Sequence, residues 1–217
     1  MKKLILVTML LLSTVFTYSQ EKEWVFEVSP RDIQMYSSSK LERPKYFMEK
    51  FNIKNMINLS FFNSRTFVGP YKDSSRSSYK PYKNWPVFII ENGEAYIYDG
   101  TSWGQSVNLE SVRLKTTYVV CGYPLLLKEG TKTKIRNSFF SKRRCPRTAI
   151  GLHSNGSVII YVTKRATLKE LQNSLLSLGC IDAINVDGGS STFIYSDGKK
   201  LFSSNEGKSY PNVLSWK

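Results

Sequence analysis

The sequence predicts an α+β fold, a single domain in which a mixed, largely antiparallel sheet is accompanied by two or so helices. Short apolar segments recur along the chain, and Asn-Gly and Asp-Gly pairs, which are preferred in tight hairpin turns, separate several of them. Only two segments carry clear helix signals. With 217 residues, of which 41% are hydrophobic, the chain is long enough to bury one core.

The first 20 residues are typical of a secretory signal peptide. Lys2 and Lys3 precede an apolar stretch, residues 4–16, which is too short to cross a bilayer, and polar residues follow it. No later segment has a membrane-spanning run of apolar residues. The sequence therefore predicts an exported protein, periplasmic, extracellular or surface-associated. Its functional domain, residues 21–217, is expected to be soluble after cleavage and to have no membrane span.

The first half of this domain is predicted to combine strands with one helix. Residues 24–28 and 53–62 are strand-like, and residues 44–51 begin with a proline, which the first turn of a helix accepts. Residues 87–98 predict a hairpin that turns at an Asn-Gly pair. Residues 63–83 lack periodicity and predict either a functional loop, whose aromatic rings stack on sugars, or a disordered surface loop.

The second half contains the clearest helix. Thr167 and Glu170 form a capping-box pattern, and leucines recur at helical spacing over residues 168–178. Because this helix joins two apolar strands, 157–162 and 181–186, we expect a parallel crossover between them. Two further hairpins, with turns at an Asn-Gly and an Asp-Gly pair, and a closing strand near the C-terminus complete the prediction.

The chain is strongly basic, with a formal net charge of +14. This charge favours anionic partners, among them phosphorylated glycans, nucleic acids and membrane surfaces, and predicted export argues against nucleic acid. A single histidine, His153, gives no support for a zinc site or a serine–histidine triad. An exported setting permits one disulfide among Cys121, Cys145 and Cys180, and their spacing does not say which two pair.

The segment DAINVDGGSSTFIY, residues 182–195, is the most informative stretch for function. An apolar strand leads directly to Asp187, and Asn185, two residues earlier, is expected on the same face. The loop that follows contains Gly188, Gly189, Ser190 and Ser191. Glycines let a backbone approach a ligand closely, and loop N–H groups and hydroxyls can surround an anion or a sugar hydroxyl. The alternative is a tight turn between two buried strands.

A run of basic residues, KRRCPRT at 142–148, is the second candidate site. Arg147 directly precedes an apolar strand, so its backbone is expected to be fixed, and arginine binds phosphate through two parallel hydrogen bonds. The three earlier basic residues are expected to be solvated. Nucleic-acid binding is an alternative interpretation of the same patch.

Four segments, in order, resemble motifs of the phosphodiester glycosidase family, which has many exported bacterial members. INLSFF at 57–62 resembles I-N-G-G-F-F, and CGYPLL at 121–126 resembles G-G-x-P-x-L. CPRTAIG at 145–151 resembles H-P-R-T-A-I-G, and NVDGGSST at 185–192 resembles N-L-D-G-G-G-S-T. The segment YPNV at 210–213 loosely resembles the family's R-x-V-x-N ending. The resemblance covers most of the chain after the predicted signal peptide.

The resemblance implies an exported hydrolase that cleaves the bond between a sugar C1 and a phosphodiester. Its substrate would be a phosphorylated glycan or a sugar-1-phosphodiester. The implied catalytic residues are Asp187, Arg147 and Asn58. The implied substrate-binding residues are Thr148, Asn185, Gly188, Gly189, Ser190, Ser191 and Gly122. This chemistry requires no cofactor, and no metal ligand is assigned, although a divalent cation beside Asp187 and a phosphate is compatible with it.

Glycosidases commonly use two carboxylates, whose separation sets the stereochemical outcome. Only Asp187 lies in a matched motif, and Asp182 and Asp73 are the other acids considered. Retention or inversion is therefore not predicted.

Four positions depart from the family's pattern. Leu59 and Ser60 replace the two glycines after Asn58, Ser190 replaces the third glycine of the loop, and Cys145 replaces the histidine before the proline. Each change adds side-chain bulk or removes a titratable group. The alternative function is therefore a non-catalytic module that binds phosphoglycans on the same fold.

Overall fold

The computed structural model describes residues 23–63, 66–78, 84–101 and 116–217. The predicted signal peptide lies outside the described residues. In chain order the strands are β1 (Glu23–Val28), β2 (Ile33–Glu42), β3 (Asn55–Asn58), β4 (Phe62–Asn63), β5 (Thr66–Phe67), β6 (Tyr71–Lys72), β7 (Ser77–Ser78), β8 (Val87–Glu91), β9 (Glu94–Tyr98), β10 (Thr116–Cys121), β11 (Leu125–Lys128), β12 (Thr131–Lys132), β13 (Cys145–His153), β14 (Val158–Ala166), β15 (Cys180–Asn185), β16 (Phe193–Ser196), β17 (Lys199–Ser203) and β18 (Tyr210–Trp216). The helices are α1 (Pro44–Phe51), α2 (Phe139–Lys142) and α3 (Leu168–Ser177).

The strands form three large sheets and one small one. The six-stranded sheet has the order β1-β14-β13-β15-β11-β12. The β3 sheet has the order β17-β16-β3-β18-β2, and the β8 sheet has the order β7-β6-β10-β8-β9. Strands β4 and β5 pair separately. The α+β class, the single domain and the largely antiparallel pairing predicted from the sequence are confirmed.

The predicted crossover through α3 differs from expectation in one respect. Strands β14 and β15, which α3 joins, run in the same direction but do not pair with each other, because β13 lies between them and pairs antiparallel with both. Strand β13, which comes before β14 along the chain, therefore lies between the two strands that the crossover connects. Every strand pairing among the described residues is antiparallel.

The local signals in the sequence form the structures that they predict. Thr167 and Glu170 exchange the two hydrogen bonds of a capping box at the start of α3. Asn92 and Gly93, at the turn between β8 and β9, have φ angles of 54° and 80°, as a type I′ turn requires. The other two predicted hairpins are β13–β14 and β16–β17. The closing strand becomes β18, which lies between β3 and β2.

The three large sheets share one core. Each contributes inward side chains, such as Ile150 and Ile184 from the six-stranded sheet, Ile57 and Leu214 from the β3 sheet, and Phe88 and Val120 from the β8 sheet. The outer face of the six-stranded sheet packs against the leucine stripe of α3, and the outer face of the β3 sheet packs against α1. The core therefore holds the ends of β3, β13 and β15 together.

The segment 63–83 is not the irregular loop that its composition predicts. Its described residues include β5, β6 and β7; β6 pairs with β10 in the β8 sheet, and β7 forms the edge of that sheet. Tyr71, one of the aromatic residues expected to stack on sugars, is fully buried in the shared core. Because the polar residues of this segment show no alternation, its two short strands in the β8 sheet were not predicted. Tyr79 and Tyr82 lie outside the described residues.

Candidate functional site

The loop that begins at Asp187 lies where three strands end. The backbone N–H of Asp187 donates to the carbonyl of Leu59, just after β3, over 3.1 Å. The N–H of Val186 donates to the carbonyl of Thr148, near the start of β13, over 3.0 Å. These two bonds tie the end of β15 to both neighbouring segments, so the position of the acid is set by the sheets and not by the loop alone.

Asn58 connects three of the predicted site segments. Its side-chain Nδ2 donates to the carbonyl of Asp187 over 2.5 Å. Its Oδ1 accepts from the hydroxyl of Thr148 over 2.9 Å and from the N–H of Phe193 over 3.2 Å. Because Asn58 is fully buried and its amide is used in these bonds, it positions the Asp187 loop from behind. The structure thus brings Asn58, Thr148 and Asp187 together, as the sequence predicts.

The two glycines of the loop have different roles: Gly188 allows close packing, and Gly189 adopts a positive φ angle. A Cβ at Gly188 would lie 3.1 Å from the carbonyl oxygen of Pro146, so the loop could not pack as closely against β13 with a larger residue. Gly189 has φ of 60° and begins a 3₁₀ turn that ends at Ser191. The turn directs the chain back into β16 and leaves Ser190 exposed at its tip.

Burial and local hydrogen bonds act in opposite directions on the carboxyl group of Asp187. Burial raises its pKa, because the charged form loses hydration. Hydrogen bonds from the Ser191 side chain and from the N–H of Gly188, the latter 2.9 Å long, favour the ionised form, as does the positive charge of Lys208. A carboxyl group with a raised pKa at the mouth of a loop is typical of a catalytic acid or base.

Lys208 is the basic residue next to this acid. Its Nζ donates to the hydroxyl of Ser190 over 3.1 Å and lies 5.4 Å from the centre of the Phe62 ring. It belongs to the loop that precedes β18. Sequence reasoning missed Lys208, because an isolated lysine in a polar loop carries no motif. Its proximity arises only when β18 pairs with β3.

Unpartnered polar atoms cluster around the same loop. Among the described residues, four buried side-chain polar atoms have no hydrogen-bond partner, and three of them belong to Asn185, Thr192 and Tyr210. The Thr192 hydroxyl lies 3.8 Å from where a Cβ of Gly188 would be, and the negative charge of Asp187 adds to the effect of burial in raising the pKa of the Tyr210 hydroxyl. Buried polar groups are rarely left unpaired, so these three atoms, in segments that adjoin the Asp187 loop, are an unusual feature of this part of the structure. Tyr210 was not singled out from the sequence, although it lies in the loosely matched final segment.

Arg147 lies in the same region but uses its donors on the protein itself. Its side chain is 1% exposed, and Nε donates to the carbonyl of Ala166 over 3.2 Å. Its Nη2 donates to the carbonyls of Phe140 and Arg143 over 2.7 Å and 3.0 Å. The guanidinium also lies 4.8 Å from the centre of the Phe140 ring. It forms no salt bridge with any carboxylate within the described parts of the chain.

The direction of Arg147 follows from the alternation of β13. Arg147 lies on the strand face that it shares with Ala149, which packs against α3, whereas the hydroxyl of Thr148 reaches Asn58. Desolvation of the buried guanidinium lowers the pKa of Arg147. The structure therefore places this guanidinium between α2 and the end of β14, where it fixes the segment that leads into β13.

Gly122 and Asn185 determine how closely the segment after β10 approaches the end of β15. A Cβ on Gly122 would lie 2.5 Å from the carbonyl oxygen of Asn185, so only glycine allows this contact. That carbonyl accepts from the N–H of Tyr123 over 2.7 Å, and the Asn185 Nδ2 donates to the carbonyls of Tyr123 and Val186. Gly122 thus contributes close packing beside the site, and Asn185 retains its unpartnered Oδ1.

Four aromatic rings form a continuous row beside these segments. The aromatic row consists of Phe61, Trp85, Tyr123 and Phe140. The Trp85 ring stacks on Tyr123 with centroids 5.0 Å apart and meets Phe61 at 5.2 Å. Tyr123 stacks on Phe140 at 6.3 Å. The row therefore connects the chain just after β3 with α2.

The residues that replace family glycines do not fill the space beside Asp187. Leu59 is 1% exposed and packs in the shared core. The Ser60 hydroxyl accepts from Asn212 Nδ2 over 2.7 Å, and the Ser60 N–H donates to Asn212 Oδ1 over 3.2 Å. Ser190 is exposed and accepts from Lys208. Each added side chain has a partner or a packing position of its own.

The other acids considered as catalytic partners are engaged elsewhere. Asp182 lies five residues before Asp187 along the chain, a strand distance of roughly 16 Å, and is 3.7 Å from Lys128. The buried carboxylate of Asp73 accepts a hydrogen bond from the Tyr71 hydroxyl over 2.6 Å. It also accepts from the backbone N–H and hydroxyl of Ser75 and from the backbone N–H of Arg76. In the part of the chain that the structure describes, no group of three or more His, Cys, Asp and Glu side chains is arranged to hold a metal ion.

The cysteines are free thiols. Cys121 and Cys180 are buried, and burial raises the pKa of each thiol to about 12. Cys145 is partly exposed at the start of β13. The disulfide that an exported setting permits is therefore not formed, because two of the thiols are separate core residues. His153 accepts a hydrogen bond from the Asn155 N–H in the hairpin turn.

Comparison with known proteins gives a family and a set of similar folds. The model of the phosphodiester glycosidase family matches residues 51–215. The catalytic domain of zebrafish N-acetylglucosamine-1-phosphodiester α-N-acetylglucosaminidase, auto-inhibited by its pro-peptide, has a TM-score of 0.71 at 16% identity, covering 89% of this chain and 76% of that chain. A hypothetical protein from Synechocystis has a TM-score of 0.61 at 15% identity, covering 92% of this chain and 60% of that chain.

A third solved structure, a candidate exported protein from Burkholderia pseudomallei K96243, has a TM-score of 0.56 at 11% identity, covering 89% of this chain and 73% of that chain. At these identities the structural likeness shows the fold alone. No protein of curated function matches the chain in sequence. Within its described residues, the chain has no helix of sufficient length and hydrophobicity to cross a membrane.

Proposed function

The chain belongs to the phosphodiester glycosidase family, and we propose that it is an exported hydrolase that cleaves the bond between a sugar C1 and a phosphodiester. The observation that carries the proposal is the half-buried Asp187, whose pKa is raised, beside Lys208 and a cluster of unpartnered polar atoms. The predicted signal sequence and the similar candidate exported protein support export.

Lys208 supplies the positive charge that the leaving group needs. A phosphate monoester anion is a weak base, so its departure depends more on stabilising charge than on protonation. The Nζ of Lys208, held by Ser190 at the tip of the loop, is positioned to interact with such an anion. Arg147 enters this proposal as a positioning residue, because its donors already bind backbone carbonyls.

Asp187 acts at the sugar. Its carboxylate either takes a proton from the attacking water or itself attacks C1, and in both cases water is consumed and a reducing sugar and a phosphate monoester are released. The unpartnered groups of Asn185, Thr192 and Tyr210 are suited to hydrogen bonds with sugar hydroxyls. Gly188, Gly189 and Ser191 shape the loop that presents the acid. This chemistry uses residues of the chain alone, so we propose that no cofactor or metal ion is required.

The test is release of free sugar from a panel of sugar-1-phosphodiesters by the wild type and by Asp187→Asn. The substitution retains the size of the side chain but removes its charge, and turnover is expected to fall at least about 100-fold. Asp197→Asn is the matched control, because Asp197 is an exposed aspartate in the turn between β16 and β17, and its turnover should be unchanged. Parallel assays with a chelator test the proposed independence from metal.

Three outcomes would contradict the proposal or a part of it. Equal turnover by the wild type and Asp187→Asn would remove Asp187 from the reaction. Absence of turnover on every diester, with retained binding of phosphoglycans, would support the non-catalytic binding module instead. Loss of turnover on addition of the chelator would assign a metal ion to the site.

A further inference from the structure

A pocket of about 530 Å³ lies on the outer face of the six-stranded sheet, between β12, α2 and α3. Its volume is within the range of small-molecule sites. Its lining comes from residues 132–142 and 167–172, so it is separate from the Asp187 loop. Neither the family match nor the proposed reaction accounts for it.

Three lysines surround the pocket. Lys132, Lys142 and Lys169 come from β12, α2 and α3 respectively, and all three are exposed. None forms a salt bridge with a carboxylate of the residues described here. The neighbouring acid, Glu170, is instead 2.7 Å from Arg144. Three like charges around one concave surface favour a ligand with negative charge.

Two polar residues of the pocket lining are held in place by hydrogen bonds. Gln172 is 4% exposed, and its Nε2 donates to the carbonyls of Leu126 and Thr133 over 2.7 Å and 2.9 Å. The Ser141 hydroxyl donates to the carbonyl of Ser138 over 2.9 Å, within the cap of α2. A mostly apolar concave surface with a few fixed polar groups, surrounded by lysines, suits a sugar ring whose charged substituent is reached by the ammonium groups.

The pocket is connected to the proposed active site through α2. Phe140, at the end of the aromatic row, is followed directly by Ser141 and Lys142, which line the pocket. The other end of the row, Phe61, lies two residues after Leu59, whose carbonyl accepts from the Asp187 N–H. The row therefore connects the Asp187 loop with the pocket.

We propose that this lysine pocket is a second anion subsite, which binds a phosphate group of an extended, phosphodiester-linked glycan whose scissile linkage lies at Asp187. The identity of the glycan rests on the proposed function. The inference deepens that function by assigning the substrate class, a polymer with repeated phosphodiester linkages, in place of a small isolated diester.

The test measures binding by calorimetry, with a synthetic oligosaccharide that contains three phosphodiester linkages as the probe. Asp187→Asn serves as the background, so that the probe is not consumed. The pocket variant combines Lys132→Ala, Lys142→Ala and Lys169→Ala. The matched control removes the same charge from exposed lysines elsewhere and combines Lys40→Ala, Lys45→Ala and Lys199→Ala. The pocket variant is expected to bind about tenfold more weakly, and the control to bind as the background does.

Three further ligands identify the chemistry that is recognised. The dephosphorylated oligosaccharide is expected to bind weakly and equally to both variants. A DNA oligonucleotide of equal charge that binds as tightly as the phosphorylated oligosaccharide would overturn the assignment, since the pocket would then recognise any polyanion. Inorganic phosphate that binds as tightly as the oligosaccharide would also overturn it, because the sugars would contribute nothing.

Turnover assays in the wild-type background separate the subsite from the proposed function. The pocket variant should cleave a small sugar-1-phosphodiester as the wild type does and show a higher KM for the oligosaccharide. Weaker glycan binding without turnover of either substrate would sustain the subsite and reject hydrolysis. Turnover of both substrates with no effect of the pocket variant on the oligosaccharide would reject the subsite and sustain hydrolysis.

Discussion

The side chain of Asn58 donates a hydrogen bond to the backbone carbonyl of Asp187, although the two residues are 129 positions apart in the sequence. The bond fixes the backbone of the acid and leaves its carboxylate to interact with Gly188, Ser191 and Lys208. Asn58 therefore acts on the backbone of the acid and not on its carboxylate. A residue in this position is expected to matter for the geometry and stability of the site more than for the chemical step itself.

Replacement of Asn58 by alanine is expected to lower the free energy of unfolding by about 3 kcal/mol, because it leaves buried partners without hydrogen bonds. The partners are the Thr148 hydroxyl, the Phe193 N–H and the Asp187 carbonyl. Urea unfolding measures the change. Asn173→Ala, on the exposed face of α3, is the control and should change stability by less than about 0.5 kcal/mol. Similar effects of the two substitutions would show that Asn58 does not connect the strands.

Replacement of Arg147 by methionine is expected to lower the free energy of unfolding by about 3 kcal/mol. The substitution leaves the carbonyls of Phe140, Arg143 and Ala166 without their donor. Arg147→Lys should not restore stability, because one ammonium group cannot reproduce the geometry of the guanidinium. The measurement is urea unfolding, combined with KM and kcat for a small diester.

The matched control for Arg147 is Arg165→Met, an exposed arginine on β14, which should have little effect on either stability or turnover. If Arg147→Met unfolds at the same urea concentration as the wild type but loses turnover by orders of magnitude, Arg147 contacts the substrate directly. The role implied by the family resemblance would then replace the positioning role.

The sequence predicts the parts of this site that depend on local patterns. The turn residues, the helix cap of α3 and the strand before Asp187 are each specified within a few neighbouring positions. The motifs around Asn58, Thr148 and Asp187 indicate that these residues belong to one site. In the structure, hydrogen bonds join Asn58 to both of the other residues.

Other features depend on tertiary arrangement and leave no local signal. The side chain of Arg147 lies between α2 and the end of β14 because of the strand parity of β13, which the basic run 142–148 does not reveal. Lys208 reaches the site only because β18 is inserted between β3 and β2. Likewise β13 separates β14 from β15, because strand order is determined by the packing of all three sheets.

The pH dependence of turnover should reflect the raised pKa of Asp187. Only the ionised carboxylate can act as a base or nucleophile, so kcat/KM is expected to rise with pH through a pKa above the ordinary aspartate value. The charge of Lys208 favours the ionised form. Lys208→Met should therefore move this acid limb to higher pH, while Lys199→Met, on exposed β17, should leave it in place.

The same shift makes a prediction for stability. Because the folded-state pKa of Asp187 is raised, its contribution to stability is fully present below the unfolded pKa and is lost as pH rises through the folded pKa. Asp187→Asn should therefore stabilise the fold at neutral pH, and this gain should diminish as pH falls below about 4. Urea unfolding at both pH values measures the difference. A gain that is largest at low pH would contradict the direction of the shift.

Removal of the Tyr210 hydroxyl should separate stability from activity. The hydroxyl is buried and has no partner among the described residues, so Tyr210→Phe is expected to leave the free energy of unfolding unchanged or to raise it by about 1 kcal/mol. If the hydroxyl binds the sugar or the attacking water next to Asp187, turnover should fall about tenfold despite the intact fold.

Tyr161→Phe is the control for this last effect. Tyr161 is also a buried tyrosine, but it packs on the α3 side of the six-stranded sheet, away from the Asp187 loop. Its substitution should leave turnover unchanged. Thermal unfolding and initial-rate measurements on both variants test the pair. A loss of turnover in Tyr210→Phe alone, without a loss of stability, would assign the unpartnered hydroxyl to the substrate, whereas equal turnover in both variants would show that it serves packing only.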